Sequence, residues 1–260
     1  QDFKSGIDAV RIDKSFSNFS GVNIVVNKIK KYNESGSYLE NTLTQSYQRI
    51  GIERELSFLL RGYTTFNNTD YALLYKSEPE GHFVGFEVDG EIGSLNIYNE
   101  IAYLSGTDKI TMPGSYQGNL LKNYFMNVLG INYRFKNNLQ ITVEHLFNGL
   151  GDSSNLDASN IRYKNGLNKS LNEHVTGISL NYEFNPLLIG KYDSKIAWQD
   201  SSHQHNITLI KSITENLDFI LGSQINIGDR PSGSNWQNPN IQSEFGRQNN
   251  KYFFQLKSYF

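Results

Sequence analysis

Three groupings in this chain of 260 residues have the residue types and spacing that chemistry requires. The first is Glu144-His145-Leu146-Phe147-Asn148-Gly149, followed by Asp152-Ser153-Ser154-Asn155. An imidazole activates a hydroxyl only when the two stand within hydrogen-bond reach. On an extended strand His145 and Phe147 share a face, so that strand presents no hydroxyl to His145, and Ser153 and Ser154 fall in the connection beyond it. The second grouping is His203 and His205 with Asp200 close by, ligand types that hold zinc when they converge. A solvated turn is the simpler fate of such a pair. The third is Glu87 with Asp89, two carboxylates on one strand face, yet nothing beside them supplies a pocket, a water or a leaving-group site for acid–base work. The short glycine-containing turns do not match a phosphate cradle that opens a helix. The expectation is no catalytic residue, no metal and no cofactor, in a protein that is not an enzyme.

The elements that would carry these residues read as strands. Alternation of period two, bounded by turn residues, marks about thirteen of them and no helix. Their approximate cores are Ile7 to Lys14, Gly21 to Lys30, Ser46 to Leu60, Tyr71 to Lys76, Phe83 to Asp89, Leu95 to Leu104 and Tyr124 to Phe135. The remainder are Leu139 to Asn148, Val175 to Phe184, Tyr192 to Gln199, Asn206 to Ile213, Phe219 to Ile227 and Tyr252 to Phe260. Short turns, such as Asn67 to Asp70 and Lys136 to Asn138, alternate with mostly longer links, such as Lys31 to Gln45, Ser105 to Lys122, Gly149 to His174 and Gly228 to Asn249. A transmembrane β-barrel has this asymmetry, with long loops at one end and tight turns at the other.

Composition is compatible with that architecture. A mean hydropathy of -0.50 argues against helical membrane spans, which need about 20 consecutive apolar residues. It does not argue against a barrel, whose lipid-facing and lumen-facing residues alternate and average out. Aromatic residues make up 13% of the chain, enough for girdles at two membrane interfaces. The chain has no cysteine, so neither disulfides nor thiolate chemistry enter. Its 24 basic and 26 acidic residues are scattered, which disfavours nucleic acid as a partner. No basic segment followed by an apolar one opens at Gln1, so a secretion signal is expected to have been removed or to lie outside this chain.

The ending, Lys251-Tyr-Phe-Phe-Gln-Leu-Lys-Ser-Tyr-Phe260, puts Tyr252, Phe254, Leu256 and Phe260 on one face and Lys251, Gln255 and Lys257 on the other. It resembles the C-terminal strand of Gram-negative outer-membrane β-barrels. That resemblance implies that Tyr252, Phe254, Leu256 and Phe260 are read by the barrel-assembly machinery, and that the protein is integral to the bacterial outer membrane, among its lipids. Leu129-Gly-Ile-Asn-Tyr-Arg-Phe135 with Leu139-Gln-Ile-Thr-Val-Glu144, and Asp218-Phe-Ile-Leu-Gly-Ser-Gln-Ile-Asn-Ile-Gly228, are similar to strand pairs of general porins. The segment around His145 looks like the His-x-Ser-Asn-Gly stretch of outer-membrane phospholipase A. In that family the histidine is the base and the serine two residues on is the nucleophile; Phe147 stands at the serine's place here.

The expected fold is therefore all-β, a transmembrane antiparallel up-and-down barrel of about 12 to 14 strands, formed by residues 1–260 as one domain. With Phe260 at the periplasmic side, thirteen strands put the first strand's start outside the cell, whereas a closed bacterial barrel has an even number. Either at least one N-terminal strand is missing, removed or supplied by another polypeptide, or the count is off by one around Arg49 to Asp70.

Alternation assigns Ile50, Ile52, Phe58, Val84, Phe86, Val88, Leu129, Ile131, Tyr133, Phe135, Ile178, Leu180, Tyr182 and Phe184 to lipid. The lumen would then be lined by Arg11, Asp13, Arg49, Glu53, Glu87, Asp89, Glu100, Arg134, Glu144, Glu183 and Lys257. Polar neighbours Asn96, Asn132, Gln140, Thr142, Asn181, Gln224, Asn226 and Gln255 complete that face. The expected function is a porin-like channel for passive diffusion of small solutes through a mixed-charge lumen. The alternatives are a structural barrel whose lumen or missing strand is filled by a partner protein, and, further off, a lipid hydrolase.

Overall fold

The computed structural model describes residues 9–32, 52–78, 81–106, 123–151, 168, 170–232 and 241–259. Thirteen strands run through them, β1 (Ala9–Ser17), β2 (Ser20–Tyr32), β3 (Ile52–Phe66), β4 (Thr69–Glu78), β5 (Gly81–Ile92), β6 (Leu95–Gly106) and β7 (Tyr124–Arg134). They continue with β8 (Leu139–Asn148), β9 (His174–Asn185), β10 (Leu188–Ala197), β11 (Ser202–Thr214), β12 (Leu217–Ile227) and β13 (Lys251–Ser258). All join one antiparallel sheet in strict sequence order, the up-and-down all-β topology that the alternation predicts. No helix among the described residues is long and apolar enough to cross a membrane.

Turn chemistry explains the tight end of the sheet. β3 and β4 are joined by Asn67 and Asn68, both left-handed (φ 50° and 57°), the paired positive angles of a type I′ hairpin. Gly93, with φ 65°, serves the β5–β6 turn, where the absence of a side chain makes that angle inexpensive. Asn185 Oδ1 accepts from the Leu187 N–H at 3.0 Å in the β9–β10 turn. Register shifts at Ser15/Ser17, Leu188/Ile189 and Ser212/Thr214 all lie beside such turns, where a bulge matches strand twist to a short connection.

Connections do alternate in length. Residues 18–19, 67–68, 93–94, 135–138, 186–187 and 215–216 make the short set, while 33–51, 107–123, 149–173 and 228–250 are long and 79–80 and 198–201 are shorter members of the opposite set. Several boundaries differ from those the alternation predicts: β10 begins at Leu188 and not Tyr192, β11 begins at Ser202 and not Asn206, and β3 runs on from Leu60 to Phe66. The extension pairs Arg61 with Asn23 and Leu74, so that Arg61 belongs to a strand interior and not to a turn.

Contacts divide the chain into two compact units, Gln1–Val88 with Ile101–Tyr124, and Asp89–Glu100 with Phe125–Phe260. In each, the burial order of a water-soluble sheet is inverted. Large apolar side chains on one face are open to the surroundings, Val10 at 63% and Leu73 at 60% in the first unit, Leu221 at 50% and Phe254 at 76% in the second. The buried side chains of the described residues include Ser57, Asn148, Asn172, Ser194, Ser202, Gln204, Asn226 and Ser243.

Two glycines on the polar face of the second unit are places where an aromatic ring covers bare backbone. The Tyr98 ring occupies the space of a Cβ at Gly130, and the Phe253 ring does the same at Gly222. Phe253 therefore sits on the polar face of β13 for a packing reason, shielding the glycine that its register places opposite it.

Candidate functional site: the polar face and its cap

Cross-strand register assigns the faces without reference to hydropathy. In the first unit Asp13 stands opposite Asn23, and Asn23 opposite Arg61. Arg11 Nε donates to the Asp13 carboxylate at 2.9 Å and Asn23 Nδ2 donates to it at 2.6 Å. Arg61 Nη2 donates to Glu87 at 3.2 Å, and its guanidinium lies 5.3 Å from the centre of the Tyr63 ring. The predicted residues Arg11, Asp13 and Glu87 are thus on one polar face in charge pairs. Arg61, the cation of the second pair, lies just beyond the predicted end of its strand at Leu60, whereas β3 continues to Phe66. Glu53 takes a register position of the same parity, opposite Lys31. Arg49 and Ile50 lie outside the described residues.

The second unit repeats the arrangement, with its carboxylates held by neutral donors. Asn96 Nδ2 donates to Asp89 at 2.5 Å, and the Tyr98 hydroxyl donates to Glu144. Asn132 bridges Thr142 at 2.9 Å and Gln140 at 3.3 Å. Ser179 Oγ donates to Asp193 at 2.7 Å. Arg134 lies opposite Gln140, Glu183 opposite Ile189 and Lys257 opposite Asp218, all on the polar parity. Lys257 Nζ also lies 4.7 Å from the Tyr259 ring centre. The Glu100 backbone carbonyl accepts from Asn127 Nδ2 at 3.0 Å. The opposite parity carries Tyr252, Phe254 and Leu256, as expected; Phe260 lies outside the described residues.

Over the end of this face that bears the long connections, the second unit carries a cap made by those connections. Gln204 Nε2 and Gln224 Nε2 both donate to Asn226 Oδ1, at 2.9 and 3.2 Å, and Gln224 Nε2 donates to Gln248 Oε1 at 2.8 Å. Asn226 Nδ2 donates to the Asn249 carbonyl at 3.0 Å. Residues 248–250 of the β12–β13 connection are thereby tied to the polar side chains of β11 and β12.

A second knot joins three connections. Glu244 Oε2 accepts from the backbone N–H of Leu171 at 2.5 Å and of Asn172 at 3.3 Å, and from Ser170 Oγ at 3.1 Å. Asp200 Oδ2 accepts from Asn172 Nδ2 and from the Glu244 N–H, both at 2.7 Å. The buried apolar residues Leu150, Leu171, Ala197, Ile241 and Phe245 surround this knot in sequence and make it a small core outside the sheet. Burial raises the Glu244 carboxyl above its ordinary value, because an apolar shell disfavours the ion; the donors from Leu171, Asn172 and Ser170 oppose that rise. Such a cap is hard to read from sequence, since its donors and acceptors are up to 74 residues apart and obey no period.

The apolar face holds the histidines. His145 Nδ1 is 2.9 Å from Thr176 Oγ1 on β9, and His145 Nε2 is 3.1 Å from His174 Nδ1. Trp198 Nε1 donates to the same Thr176 oxygen at 2.8 Å. Phe147 shares the face, its ring centre 5.2 Å from that of His174, and Ser153 and Ser154 lie outside the described residues. A hydroxyl does reach His145, from the neighbouring strand. His203 and His205 stack at 6.1 Å on β11, with His205 Nδ1 at 2.9 Å from the Tyr192 hydroxyl. Asp200 is engaged in the cap, and among the described residues no three metal-ligating side chains converge. No family model matches the sequence, and no curated protein matches it.

Proposed function

We propose that this chain is an integral outer-membrane β-barrel that acts as a porin-like channel, passing small solutes through a mixed-charge lumen narrowed by its own long connections. The observation that carries this reading is the inverted burial. Leu73, Leu221 and Phe254 are half or more exposed on one face, whereas Ser57, Gln204 and Asn226 are buried on the other. In water such a sheet would leave its apolar face unsatisfied; in a bilayer that face meets acyl chains and the polar face encloses water. An up-and-down sheet is also one of the few structures whose backbone can be satisfied in lipid, provided that it closes.

The polar face supports weak selectivity. In the first unit Arg11 and Arg61 are paired with Asp13 and Glu87, and in the second Lys257 stands opposite Asp218, so neither sign of ion gains a continuous path. Barrels of about 8 strands are filled by side chains and those of 16 to 18 hold open channels. Thirteen strands fall between these limits, and the cap on the second unit narrows its share of the lumen further.

Reconstitution into planar bilayers tests the reading. Discrete conductance steps from the folded, heat-modifiable protein are expected; a folded protein that stays silent at all voltages would overturn the channel in favour of a structural barrel with a filled lumen. A second reading, lipid hydrolysis, is favoured only by the His145–Thr176 contact. Turnover of phospholipid that vanishes in both His145→Ala and Thr176→Val would establish it, and an inert parent protein would remove it.

A further inference from the structure

The histidines of the second unit form a pattern that a channel does not require. Cross-strand partners on the apolar face run His145, Thr176, Ile196, His203 and Ile227, from β8 to β12. One step along each strand stand His174, opposite Phe147, and on the other side His205, opposite Ser194 and Ile225. Trp198, 59% exposed, donates its backbone N–H to the His174 carbonyl at 3.0 Å and its indole N–H to Thr176. All four imidazoles of this unit therefore lie in one band across β8 to β11, on the apolar face, beside the long connections. The first unit, by itself, has a similar pairing on β4 and β5: His82 stacks on Tyr75 at 6.0 Å, with Nδ1 at 3.1 Å from the hydroxyl.

Imidazoles are poor occupants of an acyl-chain surface and need a polar counterpart. Part of that need is met within the protein, by Thr176, Tyr192 and Ser194. Among the described residues His174 Nε2, His205 Nε2 and both nitrogens of His203 have no protein hydrogen-bond partner. No carboxylate stands among the cross-strand partners of the band. Glu144 and Asp193 belong to the opposite parity, facing Gly177 and Ser179. Among the described residues the other titratable group in the band is Tyr192. Positive charge arising here has no carboxylate partner among the described residues, and the ligand that fits is an anion with several acceptor oxygens, held where apolar surface gives way to the loops.

We propose that this band is a lipid-headgroup site that takes the phosphate groups of anionic phospholipid. The proposal rests on the membrane-barrel reading above. An imidazole donates one N–H when neutral and two when protonated. Headgroup binding is therefore tighter in acid. His203, His205 and His174 supply donors; Trp198 and Phe147 pack against the upper acyl segment, as interfacial aromatics do.

The chain has two tryptophans, so Trp236→Phe leaves Trp198 as the sole indole, placed within the band. The full chain in this background is folded into vesicles of phosphatidylcholine mixed with phosphatidylglycerol, with bromine on the acyl chains of one lipid or the other. Quenching of Trp198 then reports which lipid is adjacent. At pH values of about 7.5 and about 5.5, which bracket the imidazole pKa, the ratio of quenching by phosphatidylglycerol to that by phosphatidylcholine should rise several-fold on acidification. His203→Gln with His205→Gln should remove most of the rise, and adding His174→Gln should remove the remainder. Equal quenching by both lipids at both pH values would overturn the proposal, as would a rise that persists in the triple variant. Loss of the preference on adding inorganic phosphate at millimolar concentration would assign the site to free phosphate and overturn the lipid as its ligand. Absence of quenching by either lipid would overturn the membrane reading itself.

Discussion

The backbone N–H of Glu244 donates to Asp200 Oδ2 at 2.7 Å, joining the β12–β13 connection to the turn between β10 and β11. Asn172 completes the joint from a third connection, its Nδ2 donating to the same Asp200 oxygen at 2.7 Å and its Oδ1 accepting from the N–H groups of Gln199 and Asp200, both at 3.2 Å. Three segments distant in sequence are thus held by two side chains, one of them fully buried.

Asn172→Ala should release this joint. It strands the Gln199 and Asp200 N–H groups and removes a donor to a buried carboxylate, at a cost of about 1–3 kcal/mol for each group left unpaired. The ladders of β8 to β12 do not depend on Asn172, so the effect should be local opening and not global unfolding. Limited proteolysis should cut residues 228–250 at least ten times faster in the variant while the heat-modifiable barrel band persists. In bilayers the same variant should show larger and noisier conductance steps.

Acid should tighten the cap. Burial raises the Glu244 carboxyl above its ordinary 4.5, so the docked cap binds a proton more readily than the open one. Its docking free energy is greatest below that ordinary value and declines as pH rises through the raised one. Protection of residues 228–250 from proteolysis by an acid-tolerant enzyme should fall from acid to neutral pH, and Glu244→Gln should flatten that profile. A profile unchanged in the variant would assign the pH dependence elsewhere.

Tyr98 and Gly130 should behave as a coupled pair. A Cβ at Gly130 meets the Tyr98 ring, so Gly130→Ala should destabilise the folded barrel by about 1–3 kcal/mol through overpacking. Tyr98→Ala removes both the obstacle and the donor to Glu144. Urea unfolding in detergent should show the double variant less destabilised than the sum of the single ones, a coupling expected only between residues in contact.

Glu87→Lys should alter ion preference. It replaces the acceptor for Arg61 with a second cation and leaves two adjacent positive charges on the polar face of the first unit. A reversal potential measured across a salt gradient should shift toward anions, and the shift should shrink as ionic strength rises and screens these charges. Identical reversal potentials for parent and variant would mean that this face does not line the conducting path.

The polar parity of Arg11, Asp13, Arg134, Glu144, Glu183 and Lys257 was legible in the sequence, and the charge pairs around Asp13 and Glu87 agree with it. Period-two alternation is a local property of extended backbone, and one misplaced residue would exchange the faces. Arg61 was lost because Leu60-Arg61-Gly62 reads as the end of a run, and only pairing with Leu74 across a type I′ turn carries the strand on to Phe66. Phe253 takes the polar parity of β13, where its ring covers Gly222 on the neighbouring strand.

What the sequence determined alone was therefore whatever repeats over two residues or sits in a four-residue turn: thirteen strands, their order by adjacency, their faces and the asymmetry of their connections. Tertiary structure decided the rest. The Tyr98–Glu144 contact, the Thr176 hydroxyl delivered to His145 and the knot of Asn172, Asp200 and Glu244 depend on which residues the register and the path of irregular loops bring together. No periodicity encodes those meetings, because the groups involved are 28 to 73 residues apart and find each other only after the ladders between them have formed.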